Sequence, residues 1–270
     1  MPEQGKTILD EIVAARRATV QEARRAVPIE RVYKMAEARQ ERRDFAAALA
    51  PAAGPGALTL RVIAELKRAS PSRGVMRQDY CPGKLAPGYA AAGAAALSVL
   101  TEEQYFSGSI EHLTEVRKSV ALPLLRKDFI VDEYQVYESV AAGADALLLI
   151  VAALPDRDLL SLLSLCHRLR IAALVEVHTL AELERAAAAG ARIIGVNNRN
   201  LKTLEVDLAT SQALRARMPA GCLTVSESGI KTPADLRRIQ DAGFDAVLIG
   251  ERFMTEPDPG QALRQLIGDF

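Results

Sequence analysis

The stretch IAELKRASPSRG (63–74) ends an apolar run with an acid and a base two residues apart, Glu65 and Lys67. Side chains on a strand alternate faces, so these two project from the same face, side by side. Ser70-Pro71-Ser72 and Gly74 follow with loop chemistry. A carboxylate and an ammonium held together can take and give protons. The pattern recurs. Other short apolar runs end in Thr101 and Glu102, in Lys127 and Asp128, in Glu176, in Asn197 and Arg199, in Glu227 and Ser228, and in Gly250 and Glu251. The run ending near Val151 carries no such group, and the starts of the runs are Leu, Ala, Ile or Cys. Gly229 in SESGI and Gly250 in LIGERF follow their runs directly, where a missing side chain lets backbone N–H groups approach an anion such as phosphate. Phe106 and Phe129 stand near these polar ends and can stack on an aromatic ligand. His178, two residues past Glu176, could share its face and is read as a loop or cap residue.

Groups that recur at run ends need a scaffold that brings those ends together. The stretches AAGAAALSVL (91–100), AAGADALLLI (141–150), AAGARIIGVN (188–197) and DAGFDAVLIG (241–250) repeat one design: a helix end, a glycine cap and a short apolar strand. Their glycines, Gly93, Gly143, Gly190 and Gly243, lie about 50 residues apart. One βα unit needs about half of that. A further strand must therefore lie in each interval, and ALPLLRKD (121–128), IAALVEV (171–177) and CLTVSES (222–228) supply them, with LRVIAELK (60–67) ahead of the first glycine. Thr179 with Glu182, and Thr232-Pro233 with Asp235, read as helix starts with capping boxes. The fold class is α/β, a (β/α)8 TIM barrel, whose active site lies at the C-terminal ends of the strands. A doubly wound open sheet is disfavoured by the even spacing and the absence of a GxGxxG turn. Residues 1–50 read as an N-terminal helical extension packed on the barrel, opened by a Thr7–Asp10 capping box and interrupted at Pro28. PAAGPG (51–56) is a linker by composition, and 51–270 form the barrel.

The chain has 270 residues, 49% of them hydrophobic, enough for one such barrel. Lys+Arg and Asp+Glu both total 34, so no basic excess points to nucleic acid. Arg16-Arg17, Arg24-Arg25 and Arg42-Arg43 are expected on solvated helix faces. Cys81, Cys166 and Cys222 are scattered and form no CxxC, and His112, His167 and His178 have no ligand spacing, so no metal is expected. The N-terminus lacks the apolar core of a signal peptide, and the longest apolar run, 146–154, falls far short of the roughly 20 residues that span a bilayer. The expected location is the cytoplasm, with no membrane partner.

Taken in order, IAELKRASPSRG, LSVLTEEQYFSG, LLRKDFI, LVEVH, GVNNRNL, SESGI and LIGERFM closely resemble the signature set of the indole-3-glycerol phosphate synthase family, and ILDEIVAARRATV resembles its extra N-terminal helical segment. The resemblance covers nearly the whole chain and implies the monofunctional form. It implies a lyase of tryptophan biosynthesis acting on 1-(2-carboxyphenylamino)-1-deoxyribulose 5-phosphate. The ring carbon attacks the ribulose carbonyl, CO2 leaves, and water is lost to give the indole. It further implies Lys127 as general acid, Glu176 as general base, and Lys67 as a second essential lysine near the phosphate and the leaving hydroxyl. Glu65 would orient Lys67 or join proton transfer. Asn197 and Ser228 would be catalytic or positioning residues, and Glu227 a contact to a substrate hydroxyl. Ser70, Asn197 and Arg199 would meet the carboxylate, Phe106 and Phe129 the anthranilate ring, Gly229 and Gly250 the phosphate. One departure concerns Glu251-Arg252, where relatives often carry small hydroxyl residues; the phosphate contact there would rest on backbone N–H, with the Glu251 charge pointing away. No cofactor is implied, and the chain is expected to be a monomer or weak homo-oligomer. Other phosphosugar barrels are the alternatives, such as phosphoribosylanthranilate isomerase or a tryptophan synthase α subunit. The isomerase wants a Cys and Asp pair at strand ends, and no Cys sits at one here. A non-catalytic phosphometabolite-binding barrel would have no use for Lys67, Lys127 and Glu176 together.

Overall fold

The computed structural model describes residues 7–51, 59–201 and 203–268. Beyond Pro51, the expected linker at 51–56 lies outside the described residues. Among those described, the strands β1 (Arg61–Leu66), β2 (Ala96–Leu100), β3 (Leu124–Lys127), β4 (Ala146–Ile150), β5 (Ala172–Val177), β6 (Ile193–Asn197), β7 (Leu223–Glu227) and β8 (Ala246–Ile249) close into a barrel. Every neighbouring pair is parallel, and β8 pairs with β1 to complete the ring. The four further strands expected are all present, each trimmed by a residue or more at its start and by no more than one at its end. β3 is trimmed most, because Pro123 has no N–H to give to the ladder.

Three helices precede the barrel: α1 (Ile8–Ala26), α2 (Ile29–Ala38) and α3 (Phe45–Leu49). Thr7 and Asp10 cap α1 reciprocally, as expected. The barrel helices are α4 (Pro82–Ala91), α5 (Ile110–Ser119), α6 (Glu133–Ala142), α7 (Asp156–Leu169), α8 (Leu180–Ala188), α9 (Ala209–Arg215), α10 (Pro233–Asp241), α11 (Glu251–Met254) and α12 (Pro259–Gly268). The repeated glycines end α4, α6, α8 and α10 in the left-handed region that lacks a Cβ penalty. The repeat also places Asp145 and Asp245 alike: each carboxylate accepts an N–H at the start of a neighbouring strand, from Leu124, the first residue of β3, and Thr224, the second of β7.

Alternation sorts each strand. On β3, Leu124 and Arg126 face the helices, while Leu125 and Lys127 face the barrel interior. The interior is filled by Ile63, Leu125, Leu148, Leu174, Val225 and Leu248. The extension packs against both ends. Phe45 and Leu49 of α3 are buried with the interior layer, beside Asp145, whose carboxylate also pairs with Arg39 and Arg117 below the strand starts. At the other end, Ile8, Leu9 and Ile12 of α1 reach the mouth. Arg17 and Arg25 are exposed, as expected, but their neighbours Arg16 and Arg24 depart from the solvated face. Arg16 is buried, and its guanidinium binds Asp128 and Glu103; Arg24 pairs with Asp132 at 2.6 Å. Their partners sit about a hundred residues away in sequence, out of reach of a local pattern.

Candidate active site

The strand tops open into a cavity of about 730 Å3, and every residue that the family resemblance assigns to the site lines it; Thr101, Glu102 and His178 do not. At its centre stands Lys127, whose Nζ lies 2.8 Å from Glu176 Oε2 and 2.6 Å from Glu227 Oε2. The two carboxylates come from β5 and β7 and are almost fully buried. Burial works to lower the Lys127 ammonium, but Glu176, Glu227 and Glu65 together raise it well above its usual range. Burial also works to raise Glu176, yet Lys127 and His178 overcome it and hold this carboxyl down, at about 2. Glu227 goes the other way: burial, with the charge of Glu176 beside it, pushes it up to about 7 against the pull of Lys127. Like charges sharing one cation cannot both ionise freely, so one proton is shared near neutrality. The opening pair is adjacent to this trio. Lys67 Nζ lies 2.6 Å from Glu65 Oε1, both on one face as alternation requires.

One wall is apolar. Phe106 and Phe129 lie with ring centroids 6.2 Å apart and tilted by 38°, so they form one continuous wall. Ile8, Leu9 and Ile12 of α1 extend it, with Leu148 and Ile150 of β4, the strand without a polar end. Here the strand-end reading needs correcting. Thr101 and Glu102 do not join the central charges. The Glu102 carboxylate accepts the N–H groups of Gln104, Tyr105 and Phe106, which shapes the loop that carries Phe106. Asp128 touches the cavity, but its carboxylate is spent on Thr101, Arg126, Arg16 and the Phe129 N–H.

Ser228, Gly229, Lys231 and Gly250 line another part of the cavity. After β7, Ser228 (φ 66°) and Gly229 (φ 86°) are both left-handed, a conformation in which glycine carries no Cβ penalty. A Cβ on Gly229 would strike the side chain of Val206 at 2.6 Å. Ser70 and Arg73 enter from a short hairpin, Ala69–Ser70 with Gly74–Val75, just after β1. Glu251 does not point its charge away. It turns across the mouth, bound 2.8 Å from Arg73 and 3.0 Å from Arg199, because two arginines from other loops converge on it.

A family model described as indole-3-glycerol phosphate synthase matches residues 9–266. The chain belongs to that family. An indole-3-glycerol phosphate synthase of Polaromonas sp. (strain JS666) is 50% identical over 261 residues, covering 97% of this chain and 98% of that one. The enzyme of the same name from Chromobacterium violaceum is 49% identical over 259 residues, covering 96% and 97%. Among solved structures, a 3-hexulose-6-phosphate synthase superposes with a TM-score of 0.61 at 16% identity, covering 77% of this chain and 99% of that one, which is a likeness of fold alone. The family and the activity expected from the ordered motifs are borne out, and so is the barrel.

In this synthase-family chain, several supporting residues escaped the sequence reading. Gly195 of β6 leaves the room that the Glu227 carboxylate occupies, and Gly250 does the same for Glu65, so both glycines shape the acid–base cluster. Asn198 is buried, and its amide donates to Ser226 Oγ and to the carbonyls of Glu227 and Ser228, fixing the turn into Gly229. Arg73 was visible as the one cation of SPSRG. Asn198 sits beside Asn197 with nothing in its type or spacing to separate them. Finally, no helix of the described residues is long and apolar enough to cross a membrane.

Proposed function

We propose that this chain catalyses ring closure, decarboxylation and dehydration of 1-(2-carboxyphenylamino)-1-deoxyribulose 5-phosphate to indole-3-glycerol phosphate, as a carboxy-lyase of tryptophan biosynthesis. The observation that carries this reading is the Lys127 ammonium within 2.8 and 2.6 Å of two buried carboxylates. The same cavity is lined by Phe106 and Phe129 and by Ser228, Gly229 and Gly250, which supports a site for an aromatic phosphate ester.

The anthranilate ring lies on Phe106 and Phe129. Its carboxylate meets Ser70, Asn197 and Arg199. The phosphate binds the backbone N–H groups beside Ser228, Gly229 and Gly250. When the ring carbon attacks the ribulose carbonyl, negative charge builds on its oxygen; the Lys127 ammonium stabilises that charge and gives a proton. Loss of CO2 restores electrons to the ring system. Departure of the hydroxyl then needs a proton on oxygen and removal of one from carbon. Lys67, held by Glu65, serves the leaving hydroxyl, and ionised Glu176 takes the carbon-bound proton. Glu227, half protonated near pH 7, can donate a hydrogen bond to a substrate hydroxyl. The reaction takes place in the cytoplasm with no metal or organic cofactor.

The test is direct. The purified protein is incubated with the carboxyphenylamino substrate, and indole fluorescence and released CO2 are followed together. One CO2 per indole supports the reading. Isomerisation without CO2 would replace it with another phosphosugar reaction.

A further inference from the structure

His178 is a titratable group beside the acid–base cluster that the reaction outlined above leaves unused. It does not line the cavity. It follows β5 directly, and its side chain is 11% exposed, wedged between Glu176 of β5 and Glu182 in the first turn of α8. The ring Nδ1 lies 3.3 Å from Glu182 Oε2, and the backbone N of His178 donates to that same oxygen at 2.7 Å. The other ring nitrogen, Nε2, is buried, makes no hydrogen bond, and stands 3.5 Å from Glu176 Oε1.

The local helix start is altered around this contact. Thr179 caps α8 by accepting the Glu182 N–H, and a full capping box would send the Glu182 carboxylate back to the Thr179 N–H. Glu182 instead gives that carboxylate to His178. The backbone N–H of His178 holds the Glu182 carboxylate at 2.7 Å, and the ring makes a second contact to the same oxygen at 3.3 Å.

We propose that His178 is a positioning residue for the base: anchored as an imidazolium by Glu182, it orients the Glu176 carboxylate from behind and holds it as an anion. The proposal rests on the reading of Glu176 as general base. The charged groups facing the ring are Glu182 and Glu176, with Glu227 of β7 farther off and Lys127 of β3 beyond Glu176. Burial works against charging the ring, and Glu182 and Glu176 outweigh it, so the imidazolium persists above the ordinary histidine range.

Two measurements on the full chain test this. In the wild type, nitrogen NMR of the His178 ring should show both nitrogens protonated at pH 6; a neutral ring at that pH overturns the proposal. In His178→Gln, kcat at pH 6 should fall about 10-fold to 100-fold, the scale of a misplaced catalytic group, while KM stays near wild type. Its lower kcat/KM limb should move up by about one unit as Glu176 loses a neighbouring cation. Glu182→Gln should move both quantities in the same direction, and it decides the matter should His178→Gln fail to fold. Wild-type kcat and an unmoved limb in the folded variant overturn the proposal. Glu176→Gln separates the two readings. If it turns over normally, the base assignment itself is wrong. If it is inactive while His178→Gln behaves as wild type, only the role of His178 falls.

Discussion

Lys127 shares its proton with two carboxylates of opposite bias, and the pH behaviour of the protein follows from that. Glu227 is raised to about 7 from an ordinary value near 4.5, so the folded state holds its proton more tightly than the unfolded chain does. Its contribution to stability is present below about 4.5 and is lost as the pH rises through about 7. Glu176 is lowered to about 2, so its contribution is present above about 4.5 and is lost as the pH falls through about 2. Urea midpoints of wild type and Glu227→Gln, measured from pH 4 to 8, should therefore converge at the acid end in slope, with the variant losing the decline toward pH 7. An identical decline in both would remove Glu227 from this role. Much of the cluster was legible in the sequence, because alternation on a strand is local: Glu65 and Lys67 had to share a face. Gly195 was not legible, since its reason is the volume of Glu227 on the next strand.

Helices and loops set where these groups stand. Arg16 of α1 reaches Asp128, directly between Lys127 and Phe129, so the extension is tied to the catalytic strand by a buried ion pair. Removing one partner of such a pair leaves a buried charge, at about 3–5 kcal/mol. Asp128 keeps Arg126 at 3.0 Å, so Arg16→Ala should cost about 3 kcal/mol, the low end of that range. It should also raise KM by loosening Phe129; denaturant unfolding and steady-state kinetics check the two halves. In the loop after β7, Gly229→Val adds a side chain at a left-handed residue and into Val206. It should weaken substrate binding more than turnover, and inorganic phosphate, a weak ligand of the wild type, should protect the variant less against thermal unfolding. Unchanged substrate binding in Gly229→Val would remove the phosphate from this loop. The capping boxes at Thr7 and Thr232 were readable because both partners lie within one turn. The box read at Thr179 with Glu182 is only half formed, because the Glu182 carboxylate accepts the N–H of His178 instead of that of Thr179.

The whole molecule is a closed ring of strands that gathers distant run ends at one mouth. Four glycine repeats sufficed to expect it, since each marks the same helix-to-strand corner. The placement of the extension was not readable in detail, because Phe45 under the barrel and Ile12 at its mouth look alike as apolar helix residues. Scattered cysteines and histidines leave electrophilic work to lysine, so exhaustive chelation should leave turnover intact; loss on chelation with recovery by a divalent ion would contradict that. The central claim is that Lys127 gives the proton of ring closure and Glu176 takes the proton of dehydration. Turnover of Lys127→Met, followed by indole fluorescence at saturating substrate, tests it most directly. The account predicts a loss on the order of 10²–10⁴ in kcat, the usual worth of a positioned acid, with substrate still bound. Near-normal turnover would contradict it and move the acid role to Lys67.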